Sequence, residues 1–295
     1  MLRAILLFLA RRRGLRTFLE TSQFAKPLTR RFVAGETLAE GFTVLGQLNA
    51  TGFLVSLDHL GENVATENEA HVSADAIHQA LDQMGDAKAT VAIKLTQFGL
   101  DLSDDICLQN VEPLVRKART LGTRVEIDME GSAYTARTLA IVEQLHRKHG
   151  AVRAVIQAYL HRSEADIRHL NALGVPVRLC KGAYLEPPEL ALRNPAAVDA
   201  SYFRLAKLLL DEGVDPALAT HDERMIAAAR GYPKDKFEYQ MLYGVRRELQ
   251  AKLLREGYRL RVYLPYGDAW YPYFMRRLAE RPANVWFVLR SMIGN

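Results

Sequence analysis

Cysteine is nearly absent: Cys107 and Cys180 are the two thiols in 295 residues. Two thiols cannot build a disulfide framework, and such usage suits a reducing compartment. Cys180 stands in an apolar stretch and Cys107 in a helix-like one, so both read as small buried hydrophobes. Membrane-length apolar runs are also lacking. The run from Ala4 to Ala10 spans seven residues, too short to cross a bilayer. No clear small-residue cleavage site follows it, which argues against a secretory signal. No GxGxxG follows a strand-like segment, which weakens an open doubly wound dinucleotide fold. No low-complexity linker divides the chain.

Acids are scarce in one place. Residues 1–31 carry eight Arg or Lys against one acid, Glu20, a local charge of +7. The whole chain is +5, so the remainder is −2. The basic character belongs to an arm, which argues against a nucleic-acid-binding body. Its Ile5-Leu6-Leu7-Phe8-Leu9 run beside arginines describes an amphipathic helix lying on a surface. An ordinary first helix packed on the body explains the apolar residues equally well. A mitochondrial transit peptide, also Arg-rich and acid-poor, is the lesser reading.

What is present is alternation. About half of the residues are apolar (49%), enough for a large core. Strand-like runs fall at about 53–58, 90–95, 124–128, 153–158, 176–181, 217–220, 237–241 and 260–264. Helical spacing occupies 105–121, 132–149, 199–212, 222–230 and 244–256. Strand–helix alternation argues a parallel sheet, and eight units argue closure. The expected fold is α/β, a (βα)8 barrel over 51–295 preceded by a basic helical arm over 1–50.

Nearly every strand ends in a chemically capable residue: Asp58, Lys94, Asp128 with Glu130, Gln157, Arg178 with Lys181, Thr220 with His221 and Asp222, Gln240, and Tyr263. In a barrel this rim is where sites are built. Singly, each has a plain explanation. Lys94 could snorkel from a strand end, Asp128 and Glu130 could cap the next helix, and His221 alone is more often a core histidine. Arg276 and Arg277 alone would be a solvated helix face. The joint pattern carries the inference. Arg178-Leu-Cys-Lys181-Gly182-Ala183 puts two cations and a glycine at one strand end, which suits a pyrophosphate.

Eight blocks carry a family resemblance: LDHLGE (57–62), IKLTQFG (93–99), IDME (127–130), IQAY (156–159), RLCKGAY (178–184), ATHDERMI (219–226), FEYQMLYG (237–244) and RVYLPYGDAWYPYFMRRLAERPAN (261–284). In this order they resemble the flavin-dependent proline dehydrogenases, including the matching domain of bifunctional proline utilisation proteins. The likeness runs from roughly residue 30 to 290. It implies a distorted (βα)8 barrel holding FAD non-covalently. It implies oxidation of L-proline to Δ1-pyrroline-5-carboxylate, with electrons passed to a membrane quinone, and a functional link to pyrroline-5-carboxylate dehydrogenase.

Position by position, the resemblance implies that Lys94, Arg276 and Arg277 hold the proline carboxylate. Asp128 and Arg178 match active-site residues, with Arg178 near the flavin N5. Met129, Gln157, Lys181, Gly182, Ala183, Thr220 and His221 match FAD contacts. Tyr184, Leu242, Tyr263 and Tyr273 match the walls of the proline pocket, and Glu280 a polar pocket residue. Cys180 stands where the family often has valine, and Leu264 where other members have a smaller residue. Two arginines and a lysine suit a carboxylate on chemical grounds as well.

Closure of the barrel places the first strand beside the eighth. Glu62 is therefore expected within reach of Arg276 as a gate over the pocket, with Gly61 as its joint. Two other enzymatic readings stay open at this point: a hydroxyproline-preferring dehydrogenase of the same family, and a barrel lyase with Lys94 as Schiff-base nucleophile. A basic-armed scaffold is the non-catalytic alternative. The expected location is cytoplasmic, or peripheral on an inner membrane.

Overall fold

The computed structural model describes residues 30–61, 64–271 and 273–275. The first helix, α1 (Leu38–Ala50), opens on Thr37, whose side chain accepts from the Glu40 N–H while Glu40 reaches back to the Thr37 N–H. This reciprocal cap satisfies two otherwise orphaned donors. The chain then alternates through β1 (Leu54–His59), α2 (Glu67–Asp82), β2 (Ala89–Ile93), α3 (Asp104–Thr120), β3 (Val125–Ile127), α4 (Ser132–His149) and β4 (Val152–Gln157). It continues through α5 (Ser163–Ala172), β5 (Val177–Cys180), α6 (Pro195–Glu212), β6 (Ala217–Ala219), α7 (Glu223–Ala228), β7 (Glu238–Leu242), α8 (Arg247–Arg255) and β8 (Leu260–Tyr266). A 3-10 turn, Leu95–Phe98, follows β2.

All eight strands are parallel and the sheet closes on itself, β1 pairing with β8 from Leu54↔Arg261 to His59↔Tyr266. The expected eight-stranded barrel is therefore the fold, and each expected strand overlaps an observed one. The last strand runs two residues past its expected end. Pro265 lacks an N–H and reads as a strand terminator, yet it stays in register opposite Asp58 and its carbonyl accepts from the Ala34 N–H at 2.8 Å. α1 lies against the barrel wall: Leu45 is in the core, and a Cβ on Gly41 would sit 3.2 Å from the Tyr266 ring.

The apolar core lies between the outer face of the strands and the helices. Val55, Leu57, Val91, Ile93, Val125 and Ile127 face outward into it and are fully covered. The barrel interior is different. Barrels are usually filled by branched apolar side chains, whereas this one is filled with charge. Arg153 of β4 pairs with Glu126 of β3 at 3.2 Å and with Glu238 of β7, and Arg261 of β8 with Glu238 at 2.8 Å. Contacts between β4 and β7 are possible only across the interior. At the amino-terminal mouth Asp215 gathers Arg124, Arg153 and Arg259 at 2.8, 2.7 and 3.1 Å.

Candidate active site

The carboxyl ends of β1, β2, β3, β5 and β8 bring a compact polar cluster together. Lys94 follows β2, and its Nζ lies 3.1 Å from Asp58 Oδ1 and 3.5 Å from Asp128 Oδ2. Tyr263, from the middle of β8, donates its hydroxyl to Asp128 Oδ2 at 2.7 Å and lies 3.4 Å from Lys94 Nζ. Arg178, from β5, pairs through Nη2 with Asp128 Oδ1 and donates through Nη1 to Gln240 Oε1 at 3.0 Å. Its guanidinium carbon stands 5.4 Å from the Tyr263 ring centroid, a stacked cation–π arrangement. Burial, with the charge of Asp58 next, holds the Tyr263 phenol well above its usual range. It is therefore a neutral hydrogen-bond donor at any physiological pH.

The next strands carry the second part of the rim. Gln157, at the end of β4, ties two loops: its amide donates to the Glu130 carbonyl at 2.9 Å, and its Oε1 accepts from the Ala183 N–H at 3.4 Å. Gly182 has φ +113, and a Cβ there would fall 2.2 Å from a Tyr159 ring carbon. Only glycine fits so close an approach. Lys181 lies 2.6 Å from Asp199 and 3.3 Å from Asp222. Arg224 holds Asp222 well below the usual carboxylate range, chiefly by hydrogen bonding. Thr220 is buried after β6, and His221 Nε2 accepts from the Leu242 N–H at 3.0 Å. That bond assigns the ring proton of neutral His221 to Nδ1.

Not every expected residue joins the cluster. Tyr184 lies in the loop after β5, exposed at 43%, and Leu242 is half-buried at the end of β7. Met129 is buried beside Asp128, and Tyr273 is buried on the segment after β8, near enough to act electrostatically on Tyr263. Glu62, Arg276, Arg277 and Glu280 lie outside the described residues, as does most of the basic arm. Glu130 does not cap α4. It is buried, its carboxylate accepts from the Thr96 hydroxyl at 2.7 Å, and burial raises its pKa despite that bond. The α4 cap comes instead from Glu186, which accepts from the Ser132 N–H at 2.8 Å and from its hydroxyl. Cys180 is only partly covered, unlike Cys107.

Several participants were not anticipated. Asp58 appeared only as a strand-end polar residue, and Glu126, Arg153, Glu238 and Arg261 not at all. For Glu126 and Arg261 the signal was the alternation in Arg124-Val-Glu126-Ile-Asp128 and Leu260-Arg261-Val-Tyr263. In a parallel barrel whose outer face is covered by helices, such a period of two marks a polar interior.

A family model described as proline dehydrogenase matches residues 43–290. Proline dehydrogenase 1 of Bacillus subtilis is 39% identical over 306 aligned residues, covering 99% of each chain. The chain belongs to the proline dehydrogenase family. Another member, proline dehydrogenase of Deinococcus radiodurans, is 40% identical over 279 residues, covering 90% of each chain. Among solved structures, proline utilization A from Bdellovibrio bacteriovorus inactivated by N-propargylglycine superposes with a TM-score of 0.81 at 27% identity. The match covers 87% of this chain and 33% of that one, so the chain spans about a third of its length. Family membership makes the chain an oxidoreductase of proline catabolism.

Proposed function

We propose that this chain oxidises L-proline to Δ1-pyrroline-5-carboxylate with FAD bound non-covalently at the carboxyl ends of β3 to β6. The observation that carries this is the rim cluster of Lys94, Asp128, Arg178 and Tyr263 in a chain of this family. The residues present fit a flavin dinucleotide. Arg178 and Lys181, the small Gly182 and Ala183, the amide of Gln157, Thr220 and His221 line adjacent strand ends, with Met129 beside them. Cations and close backbone approach suit a pyrophosphate. When bound, FAD supplies the hydride acceptor and the redox chemistry.

The protein supplies position and field. The described cluster has two cations, Lys94 and Arg178, against the carboxylates of Asp58 and Asp128. With Glu126 also on Arg178, the cluster has no excess positive charge, so holding a substrate carboxylate calls for further cations. Arg276 and Arg277 follow Met275 directly in sequence and are assigned that role together with Lys94. Tyr263, Tyr273, Leu242, Tyr184 and Glu280 complete the pocket. Fixing the carboxylate aims the ring C5 hydrogen, and hydride transfer depends on that alignment.

The electrons pass to a membrane quinone. The arm docks the enzyme on anionic lipid from the cytoplasmic side. A cleft supports this reading: Arg30 and Arg31 share it with Arg246, Arg247, Lys252 and Arg255, against two glutamates. Among the described residues no helix is long and apolar enough to cross a membrane. The Escherichia coli relative is a bifunctional protein of which this chain covers 24%. A pyrroline-5-carboxylate dehydrogenase is the expected functional partner. The test is inactivation: N-propargylglycine should abolish proline-dependent dye reduction, and L-proline should protect. Full activity after incubation, or inactivation that proline does not slow, would contradict the reading.

A further inference from the structure

Arg178 is held from below as well as from the rim. Glu126, on β3, has no solvent exposure, and its Oε2 lies 3.2 Å from Arg178 Nη1. Gln240, on β7, bridges the same pair: its Nε2 donates to Glu126 Oε1 and Oε2 at 3.2 and 3.0 Å, and its Oε1 accepts from Arg178 Nη1 at 3.0 Å. The amide can face only this way. Flipped, its NH2 would meet a guanidinium and its oxygen a carboxylate. Burial alone would keep Glu126 protonated, but Arg153, Arg178 and Arg261 around it hold its pKa below the ordinary value. The carboxylate is therefore charged. With Asp128 on Nη2 and the Tyr263 ring on its face, Arg178 is boxed on every side the described residues supply.

We propose that Glu126, with Gln240 as its bridge, is a positioning residue for the redox site, acting on the flavin through Arg178. Glu126 offsets part of the guanidinium charge and so limits how strongly that charge favours reduced flavin. Gln240 fixes the direction in which the guanidinium is presented. The two effects separate experimentally. Removing the Glu126 charge without changing its shape leaves Arg178 a stronger effective cation. Removing the bridge leaves the charges and loosens the geometry. Neither change touches Lys94 or the arginines assigned to the substrate carboxylate. The proposal rests on the reading of Arg178 as the cation beside the flavin ring.

The experiment compares FAD-loaded wild type with Glu126→Gln, Gln240→Met and Arg178→Met. Midpoint potential, limiting rate of flavin reduction by proline, KM and thermal midpoint are measured for each. Glu126→Gln should move the midpoint potential to more positive values with FAD retained. Gln240→Met should lower the limiting reduction rate about tenfold, as loss of its charge-assisted contact to Arg178 predicts, with KM for proline changed less than about twofold. A purely structural role predicts lower thermal midpoints with potential and limiting rate unmoved, and that result overturns the proposal. Should Glu126→Gln fail to accumulate folded, Gln240→Met decides alone, and an unchanged limiting rate refutes it. If Arg178→Met, which removes the charge, leaves the potential unmoved, the reading of Arg178 itself fails. If Arg178→Met moves it and Glu126→Gln does not, only the positioning role falls.

Discussion

At the scale of single residues, Tyr263 joins the greatest number of proposed roles. Its hydroxyl fixes Asp128, approaches Lys94, and its ring carries Arg178. Tyr263→Phe keeps the ring and removes the hydroxyl. A hydrogen bond to a charged group is worth about 1.5–3 kcal/mol, so the KM for proline should rise about 10- to 100-fold with FAD content unchanged. Steady-state kinetics beside a flavin absorbance ratio checks this, and an unaltered KM would show that the Tyr263 hydroxyl takes no part in holding proline. Cys107 gives a second test. Burial pushes its thiol up to about 12, so it should resist alkylation in the folded protein and react once unfolded. Labelling under native conditions would show the interior to be open. Lys94, Asp128, Arg178 and Tyr263 were legible in the sequence because each falls in the later part of an expected strand or just after it, although β8 itself runs on past Tyr263. Glu126 and Glu238 were not, because a glutamate inside a strand reads as solvent-facing until the strand is known to be enclosed.

At the scale of elements, five helices were legible through their spacing, whereas α2 and α5 were given no bounds. Asn194 with Pro195 at the start of α6, and Gly150 in the left-handed region at the end of α4, follow ordinary stop and start chemistry. The cap of α4 was hidden, since Glu186 reaches it from a loop 54 residues away in sequence. No local pattern reports such a contact. The Thr37 cap of α1 is testable. Thr37→Ala should cost about 1 kcal/mol and lower the thermal midpoint by about 2–4 °C, with the KM for proline unchanged. A loss of activity at constant stability would instead tie α1 to the site. The end of β8 was misread because Pro265 satisfies a local rule for termination that closure of the barrel overrides.

At the scale of the whole molecule, alternation of strands and helices made the barrel legible, but the charge filling it was not. That filling sets how stability depends on pH. Arg153 and Arg261, joined at the mouth by Arg124 and Arg259, hold Glu238 and Asp215 below their ordinary pKa values against the effect of burial, and Glu126 behaves likewise. A carboxylate whose folded pKa lies below its unfolded one contributes stability above the unfolded value, about 4. That stability is lost as pH falls through the folded value. Each such group adds up to about 1.4 kcal/mol per pH unit to the slope. The thermal midpoint should therefore fall steeply below about pH 4.5, and Glu238→Gln should flatten that fall. Glu130 works in the opposite sense, since its raised pKa contributes stability at low pH that is lost as pH rises. An acid limb of equal slope in Glu238→Gln would show that the interior charges do not govern it.

The account turns on whether the barrel rim binds a flavin that proline reduces. Protein loaded with FAD and titrated anaerobically with L-proline answers this in one spectrum. The account predicts bleaching of the blue flavin absorbance that saturates with proline and returns on adding a quinone. A flavin spectrum that proline leaves unchanged, or a protein that retains no flavin after gel filtration, would contradict it.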